Sequence, residues 1–458
     1  MRIAIIGAGP TGLGAAHRLQ ELGHDDFTIY DRAPYFGGLA TSFIDDKGFT
    51  WDFAVHVAHS HYTYVDDLMD ELLPDGFYHH QRKSWVREYD TYIPYPFQNN
   101  IRHLPGDQLW ECVNGLLELQ DFRGNIPPPE NFEQWILQLF GQGIADHFMV
   151  PYNRKIWCTD PAEMGYQWIG DRVPTIDIER IIRNVCLEQD DLGWGPNATF
   201  QFPKTGGTGA IWKKLGERIS PEKVRLECDI TGIDTKAKTL TLADGSTDRY
   251  DHLISTMPLK ELTKLCEIDA LTTLAQQLKH TRVQVAGIAP LHPLPEELHD
   301  KTWMYCPEDK ACFYRVTPFS QFSPAHVPDP DNQCSLLCEI STHGDDPVPT
   351  PKSKAYVLDD LRSIGLIDAT PENTHAYMMH AEYGYPIPTK DRDEILNNLL
   401  PALEDLHIYS RGRFGGWKYE VANMDHSLMQ GVECVDRILE GKEEKTLPDP
   451  NYVNSRKN

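Results

Sequence analysis

The sequence predicts an α/β fold, with one parallel sheet assembled from three separated stretches of chain and two insertions between them. Three observations predict it. A short apolar run near the start passes straight into a glycine-rich turn and a helix. The same strand-and-turn texture returns at residues 200–260 and again at 405–445. Between these stretches, residues 62–200 are mostly helical in pattern and residues 270–400 alternate like strands.

Ile3–Ile6 has the length and composition of a buried parallel strand. It runs into Gly7-Ala8-Gly9-Pro10-Thr11-Gly12, and a helix follows with Leu13, Ala16 and Leu19 on one face and Gly23 as its stop. Gly7 permits the tight turn, Gly9 lets backbone approach a pyrophosphate, and Gly12 lets helix pack closely on strand. The helix N-terminus then faces the phosphates. A second strand, Phe27–Tyr30, ends at Asp31, where a carboxylate suits a ribose hydroxyl pair and repels a 2′-phosphate. Together these make a Rossmann-like dinucleotide-binding unit. Just beyond, Gly37-Gly38-Leu39 resembles the second phosphate-binding turn of FAD proteins in the amine-oxidase superfamily.

The second stretch opens at Phe202-Pro203-Lys204-Thr205-Gly206-Gly207-Thr208-Gly209 and continues through a helix, a strand at Val224 and a closing strand at residues 252–257. That order resembles the middle segment of amine-oxidase-type flavoproteins, which implies that Val224 lies against the adenine. The glycines at 206–209 lack the context of a second dinucleotide fingerprint. The third stretch is a strand and turn at residues 408–415, then a helix from about Asp425 to Leu439 with Asp425 as its expected N-cap. Residues 446–458 read as a polar, loose tail.

The chain has 458 residues, 40% of them hydrophobic, enough for two or three units with real cores. It carries 43 basic and 68 acidic residues, a formal charge of −25, which argues against nucleic acid and anionic membrane as partners. An anionic ligand would need a few arginines concentrated locally. A strand beginning at residue 2 leaves no room for a signal peptide, and no run of eighteen apolar residues exists to span a bilayer. The ten cysteines are scattered without C-x-x-C spacing, as expected of reduced thiols in a cytoplasmic protein that holds no metal.

Longer motifs narrow the reading. Tyr95-Pro96-Phe97-Gln98-Asn99-Asn100, residues 151–157, residues 168–173, residues 194–200, Phe313-Tyr314-Arg315, Gly384-Tyr385-Pro386-Ile387-Pro388-Thr389 and residues 412–427 occur in order over nearly the whole chain. Together they closely resemble the eukaryotic-type UDP-galactopyranose mutase family. The resemblance implies a Rossmann-like FAD-binding domain (1–60, 200–260 and 405–445), an inserted helical domain (62–200) and an inserted antiparallel-sheet substrate domain (270–400). It implies interconversion of UDP-galactopyranose and UDP-galactofuranose by attack of reduced-flavin N5 on the anomeric carbon, without net redox. NADPH or NADH is then the external reductant. No Ser-His-Asp set or nucleophile elbow stands out among the residues.

The resemblance also implies residue roles. Arg172 and Arg315 match arginines that hold the diphosphate, a task suited to planar guanidinium forks. Read without it, both are equally structural ion-pair partners. Tyr305, Tyr385 and Tyr419 match tyrosines whose hydroxyls help hold the phosphates. Tyr95, Phe97, Gln98, Asn153 and Trp157 correspond to the uridine end, where bland core packing is the competing reading. Arg82 and Asn197 match residues on two loops that close over substrate. Trp303 is expected to line the sugar pocket, and Arg413, Asn423, Asp425 and Ser427 to lie near the flavin. There the helix N-terminus would favour an anionic ring. His56 falls at the family's flavin-adjacent histidine.

Two departures from the family stand out. Ala54-Val55 replaces a glycine pair before the histidine, and Phe322 replaces a phosphate-contacting tyrosine. Together they leave open a different nucleotide sugar, and Ala54-Val55 by itself a flavoprotein that has lost the mutase chemistry; the shared FAD layers leave open an FAD-dependent oxidase of the amine-oxidase superfamily.

Overall fold

The computed structural model describes residues 1–121, 127–170, 173, 176–192 and 198–455. A five-stranded sheet runs in the order Ile408–Ser410, His252–Ser255, Ile3–Ile6, Phe27–Tyr30, Val224–Arg225, all parallel. Its strands come from all three stretches read from the sequence. The central strand is buried on both faces, as the continuous apolar run requires.

Helices Pro10–Glu21 and Met424–Glu440 pack against each other beside this sheet. Glycine makes the approach possible. A Cβ on Gly431 would fall 2.0 Å from the Thr11 carbonyl oxygen, and one on Gly14 would fall 2.5 Å from that of Leu428. A three-stranded antiparallel sheet, Ile230–Asp234, Thr239–Leu242 and Thr247–Arg249, stands apart.

The largest sheet has seven strands in the order Thr374–Ala381, Thr281–Pro290, Leu336–His343, Arg315–Pro318, Trp303–Tyr305, Ser84–Glu88, Thr91–Pro94. Its pairs are antiparallel except Trp303–Tyr305 with Ser84–Glu88, which is parallel. Two of these strands come from the stretch read as helical. That stretch does hold five α-helices among its described residues; four pack around Phe132, Phe140 and Trp157, while Thr63–Leu72 packs into the core beside the parallel sheet. Its strand content escaped a periodicity reading because three of the five residues in Ser84-Trp85-Val86-Arg87-Glu88 are charged or polar, and the partner that joins its hairpin to the large sheet, Trp303–Tyr305, lies more than two hundred residues away.

Two expectations need correction. The last long helix is capped by Asn423, and Asp425 sits inside its first turn. The chain beyond residue 445 is docked rather than loose. Pro450–Asn454 is helical, Val453 and Leu447 are buried, and Thr446 shares a 2.7 Å hydrogen bond with the Tyr62 hydroxyl. Glu444, just before it, is paired with the buried guanidinium of Arg411 at 2.6 Å. Among the described residues, no helix is long and apolar enough to cross a membrane.

Buried histidines give the fold a pH dependence that one variant isolates. His326 is fully enclosed, stacked on Phe319 at 4.0 Å and hydrogen-bonded to the Phe319 carbonyl at 2.9 Å. Burial pushes its imidazole down to about 4, against about 6.5 in an unfolded chain. Between those values the unfolded state binds a proton that the fold refuses, so this histidine's contribution falls as pH drops. Relative to His326→Phe, the parent is expected to lose about 3 kcal/mol between pH 7 and pH 4. Urea unfolding of both proteins across that range checks the sign.

Candidate active site

The carboxyl ends of the parallel strands open onto a cavity of about 750 Å³, the place where such sheets bind ligands. Helix Pro10–Glu21 begins there. Its N-cap is Gly9, which makes no side-chain cap hydrogen bond, and its first turn carries no acidic residue. The N–H groups of that turn are therefore suited to an anion. Gly7 holds φ +104°, and a Cβ there would fall 1.9 Å from Thr256 Oγ1. Gly37 and Gly38 also lie at positive φ, and a Cβ on Gly38 would sit 3.4 Å from Gly9 Cα. The two glycine turns thus meet backbone to backbone. Gly12 packs inward, its would-be Cβ 1.8 Å from the Gly7 carbonyl oxygen.

Asp31 stands on the wall, accepting from the N–H groups of Ala8 at 2.6 Å and Ala33 at 2.8 Å. Each oxygen keeps a further lone pair for a ligand hydroxyl. Burial pushes this carboxyl up despite those two bonds. Val224 is not on the wall. It packs at the sheet's edge, and Cys228, Asp229 and Ile230 line the cavity instead.

A second cavity, of about 190 Å³, adjoins the first, and Leu39, Phe53, His56, Tyr383, Arg413 and Met424 belong to both walls. Asn423 faces the smaller cavity and Ser427 the larger, so the start of helix Met424–Glu440 reaches both. Asp425 points elsewhere. Its carboxylate accepts the His61 N–H at 3.0 Å and pairs with His61 Nδ1 at 2.8 Å. Burial opposes its charge, yet His426 and His61 outweigh that and hold the carboxyl down to about 2.

Arg413 donates to the carbonyls of Ala422 at 3.3 Å and Gly384 at 3.2 Å, and lies 5.5 Å from the Tyr385 ring centre. Burial, with Arg413 and Arg315 nearby, pushes the His56 imidazole down to about 3, so it is neutral at pH 7. Its Nδ1 is buried with no hydrogen-bond partner among the described residues. Two residues earlier, Ala54 holds φ +127°, a conformation L side chains rarely adopt. The loop thus keeps a glycine-type backbone without the glycine. Ala54→Gly is expected to raise stability by about 0.5–1 kcal/mol, strain relief exceeding the added chain entropy. The thermal unfolding midpoint measures it.

Arg315, Tyr385 and Tyr419 line the smaller cavity. Arg315 is also half of a buried ion pair: its Nε and Nη2 each donate to Glu339 at 2.8 Å, and the Tyr314 hydroxyl donates to the same carboxylate at 2.6 Å. The structural ion-pair reading of this arginine therefore holds, and the same guanidinium also stands on a cavity wall. Arg82, Tyr95, Trp303 and Tyr305 are on neither cavity wall but cluster together: the Arg82 guanidinium lies 5.2 Å from the Tyr95 ring centre and 5.3 Å from that of Trp303, whose indole donates to the Tyr305 hydroxyl at 2.8 Å.

Phe97, Gln98, Asn153 and Trp157 are not brought to a cavity wall. Phe97 is fully buried and stacked on Phe148, and Gln98 is buried next to it. Asn153 accepts from the Trp157 indole at 3.1 Å and donates to the Met149 carbonyl at 2.7 Å. Phe322 likewise packs into the core, against Phe200 and Phe202, and is on neither cavity wall. Arg172 and Asn197 lie outside the described residues. The Arg82 backbone N–H donates to the Ala198 carbonyl at 2.9 Å.

Sequence reasoning missed Tyr383, Gly412 and Thr256. Tyr383 faces both cavities while donating to Glu261 at 2.7 Å. Gly412 holds φ +87°, with its would-be Cβ 2.5 Å from Thr11 Oγ1. Thr256 could have been found, since it follows directly on the strand His252–Ser255 at the carboxyl edge of the sheet.

The residues present fit a flavin dinucleotide: paired glycine turns with no room for Cβ atoms, a carboxylate at the second strand, and a neutral histidine with an unpartnered nitrogen. Comparison with known proteins agrees. The family model for flavin-containing amine oxidoreductases matches residues 10–288. A crystal structure of reduced UDP-galactopyranose mutase is 41% identical, covers 99% of this chain and 97% of its own, and superposes with a TM-score of 0.92.

The chain belongs to the UDP-galactopyranose mutase family, within the flavin-containing amine oxidoreductases. A protoporphyrinogen oxidase candidate from Exiguobacterium sp. 255-15, 15% identical, covers 96% of this mutase-family chain and 99% of its own with a TM-score of 0.74, which shows the shared fold. Among curated sequences, zeta-carotene desaturase of Zea mays is 33% identical over 76 residues, 17% of this chain and 13% of that protein. A protein named probable zeta-carotene desaturase in Synechococcus elongatus is 39% identical over 85 residues, 17% of this chain and 18% of that protein. The matched stretch therefore spans less than a fifth of either desaturase.

Proposed function

We propose that this mutase-family enzyme interconverts the six- and five-membered ring forms of UDP-linked galactose, with FAD in the larger cavity and the reacting sugar in the smaller. The carrying observation is the shared wall: His56, Arg413 and the start of one helix face both cavities. Reduced FAD, when bound, supplies an electron-rich ring nitrogen to the anomeric carbon, so the protein need provide no nucleophile.

The chain's own groups bind and orient. The first turn of Pro10–Glu21 holds the cofactor's pyrophosphate and Asp31 its ribose. The N-terminus of Met424–Glu440 favours negative charge on the cofactor ring. Neutral His56 offers Nδ1 as a hydrogen-bond partner on the same wall. Arg315 holds the departing diphosphate with the hydroxyls of Tyr385 and Tyr419, and Arg172 is its proposed second guanidinium. Arg82, Tyr95, Trp303 and Tyr305 frame the rest of the substrate, and a nicotinamide dinucleotide is the proposed reductant.

The test is turnover of UDP-galactofuranose, anaerobically, with ring isomers separated by chromatography. Protein reduced by dithionite is expected to convert it and oxidised protein to leave it unchanged. Equal conversion by both forms, or conversion accompanied by stoichiometric peroxide, overturns the proposal.

A further inference from the structure

The glycine run at 206–209 lines neither cavity, yet it is tightly built. Gly207 lies at φ +64°, and a Cβ there would fall 2.3 Å from Asp52 Oδ1 and 2.4 Å from Ser42 Oγ. A Cβ on Gly209 would fall 2.2 Å from the Ser42 nitrogen. Only glycine admits this approach. Its result is a set of hydrogen bonds from the turn. The Thr208 N–H donates to Asp52 Oδ2 at 3.2 Å and the Gly209 N–H to Ser42 Oγ at 2.7 Å. The Ser42 hydroxyl in turn donates to Asp52.

The side chain of Thr208 is the informative part. It is the N-cap of helix Gly209–Glu217, and a threonine there ordinarily bonds its own helix. Here it makes no cap bond. Its hydroxyl reaches the His56 carbonyl oxygen at 2.5 Å, and the residue is almost wholly buried. The segment between Asp52 and His56 is thereby held at both ends by one turn, with the unfavourable φ of Ala54 in between. Such a backbone persists only where its surroundings over-determine it.

We propose that Thr208 is a positioning residue for the flavin site: its hydroxyl, held in place by the Gly207 turn, fixes the strained Ala54–His56 loop and so the placement of His56. The inference rests on the reading that a flavin occupies the larger cavity. It adds the element that sets the cofactor-facing histidine.

Thr208→Val keeps the shape and removes the donor, Thr208→Ala removes it without steric demand, and Thr208→Ser retains it. All three are compared as FAD-loaded full chains. Valine and alanine are expected to shift the flavin's visible absorption and reduction potential and to lower kcat about tenfold, with KM changed less than about twofold. Serine is expected to restore the parent spectrum, potential and kcat. Spectra and potentials of the valine and alanine variants that match the parent overturn the inference, as does a serine variant as altered as valine. Spectral and potential shifts in protein that converts no UDP-sugar uphold the inference and instead reject the proposed reaction, which keeps the two failures apart.

Discussion

Replacing Arg315 with alanine is expected to lower stability by about 3–5 kcal/mol and to abolish turnover. The stability loss follows from Glu339, which is wholly buried and whose two oxygens take both donors of the Arg315 fork. Without the arginine, only the Tyr314 hydroxyl remains of its three hydrogen bonds to that carboxylate. An uncompensated buried charge, rather than the worth of the ion pair, sets the size of the effect. A paired variant, Arg315→Leu with Glu339→Gln, removes both charges and is expected to recover most of the stability. Diphosphate binding separates the two roles of the arginine. Charge-assisted hydrogen bonds contribute about 1.5–3 kcal/mol each, so UDP is expected to bind the paired variant about ten- to a hundredfold more weakly. Urea unfolding and UDP titration read the two effects. UDP binding as tight as in the parent would leave Arg315 with a structural role alone.

Gly12→Ala is expected to yield a chain that does not retain flavin. The added methyl would lie 1.8 Å from the Gly7 carbonyl oxygen and 3.0 Å from its carbonyl carbon, so backbone must move. Such overpacking costs about 1–3 kcal/mol or more. The displaced atoms belong to the turn that presents N–H groups to the pyrophosphate, so cofactor affinity falls by at least about tenfold for each 1.4 kcal/mol lost there. Gly106→Ala is the control, because a Cβ at that position meets nothing within 4 Å. Flavin absorbance per chain after gel filtration measures both. Full flavin content in Gly12→Ala would show that the turn relaxes without disturbing its donors.

Legibility from sequence followed the range of the interactions. The glycine turns, Asp31 and the strand preceding them were readable because a phosphate-binding turn is a local object, with its strand, turn and helix contiguous. The three-part sheet was readable because each part repeats the same strand-to-turn texture. Asp425 misled because an acid at a helix start ordinarily caps it; here a histidine 364 residues away claims the carboxylate. Phe97 and Trp157 misled for the reason aromatics usually do, since a ring suited to stacking on a base is equally suited to a core.

By itself, the sequence determined that this chain builds a parallel sheet from three stretches with a dinucleotide turn at its edge, and that its motifs run in mutase-family order. Periodicity, glycine spacing and charge are properties of neighbouring residues, so they survive without coordinates. The tertiary structure alone decided which face each side chain serves: that Arg315 stabilises Glu339 as well as lining a cavity, that Phe322 is core, and that a turn at 206–209 holds the loop of His56. Those outcomes depend on desolvation and on hydrogen bonds between groups tens to hundreds of residues apart, which only the folded chain brings within reach of each other.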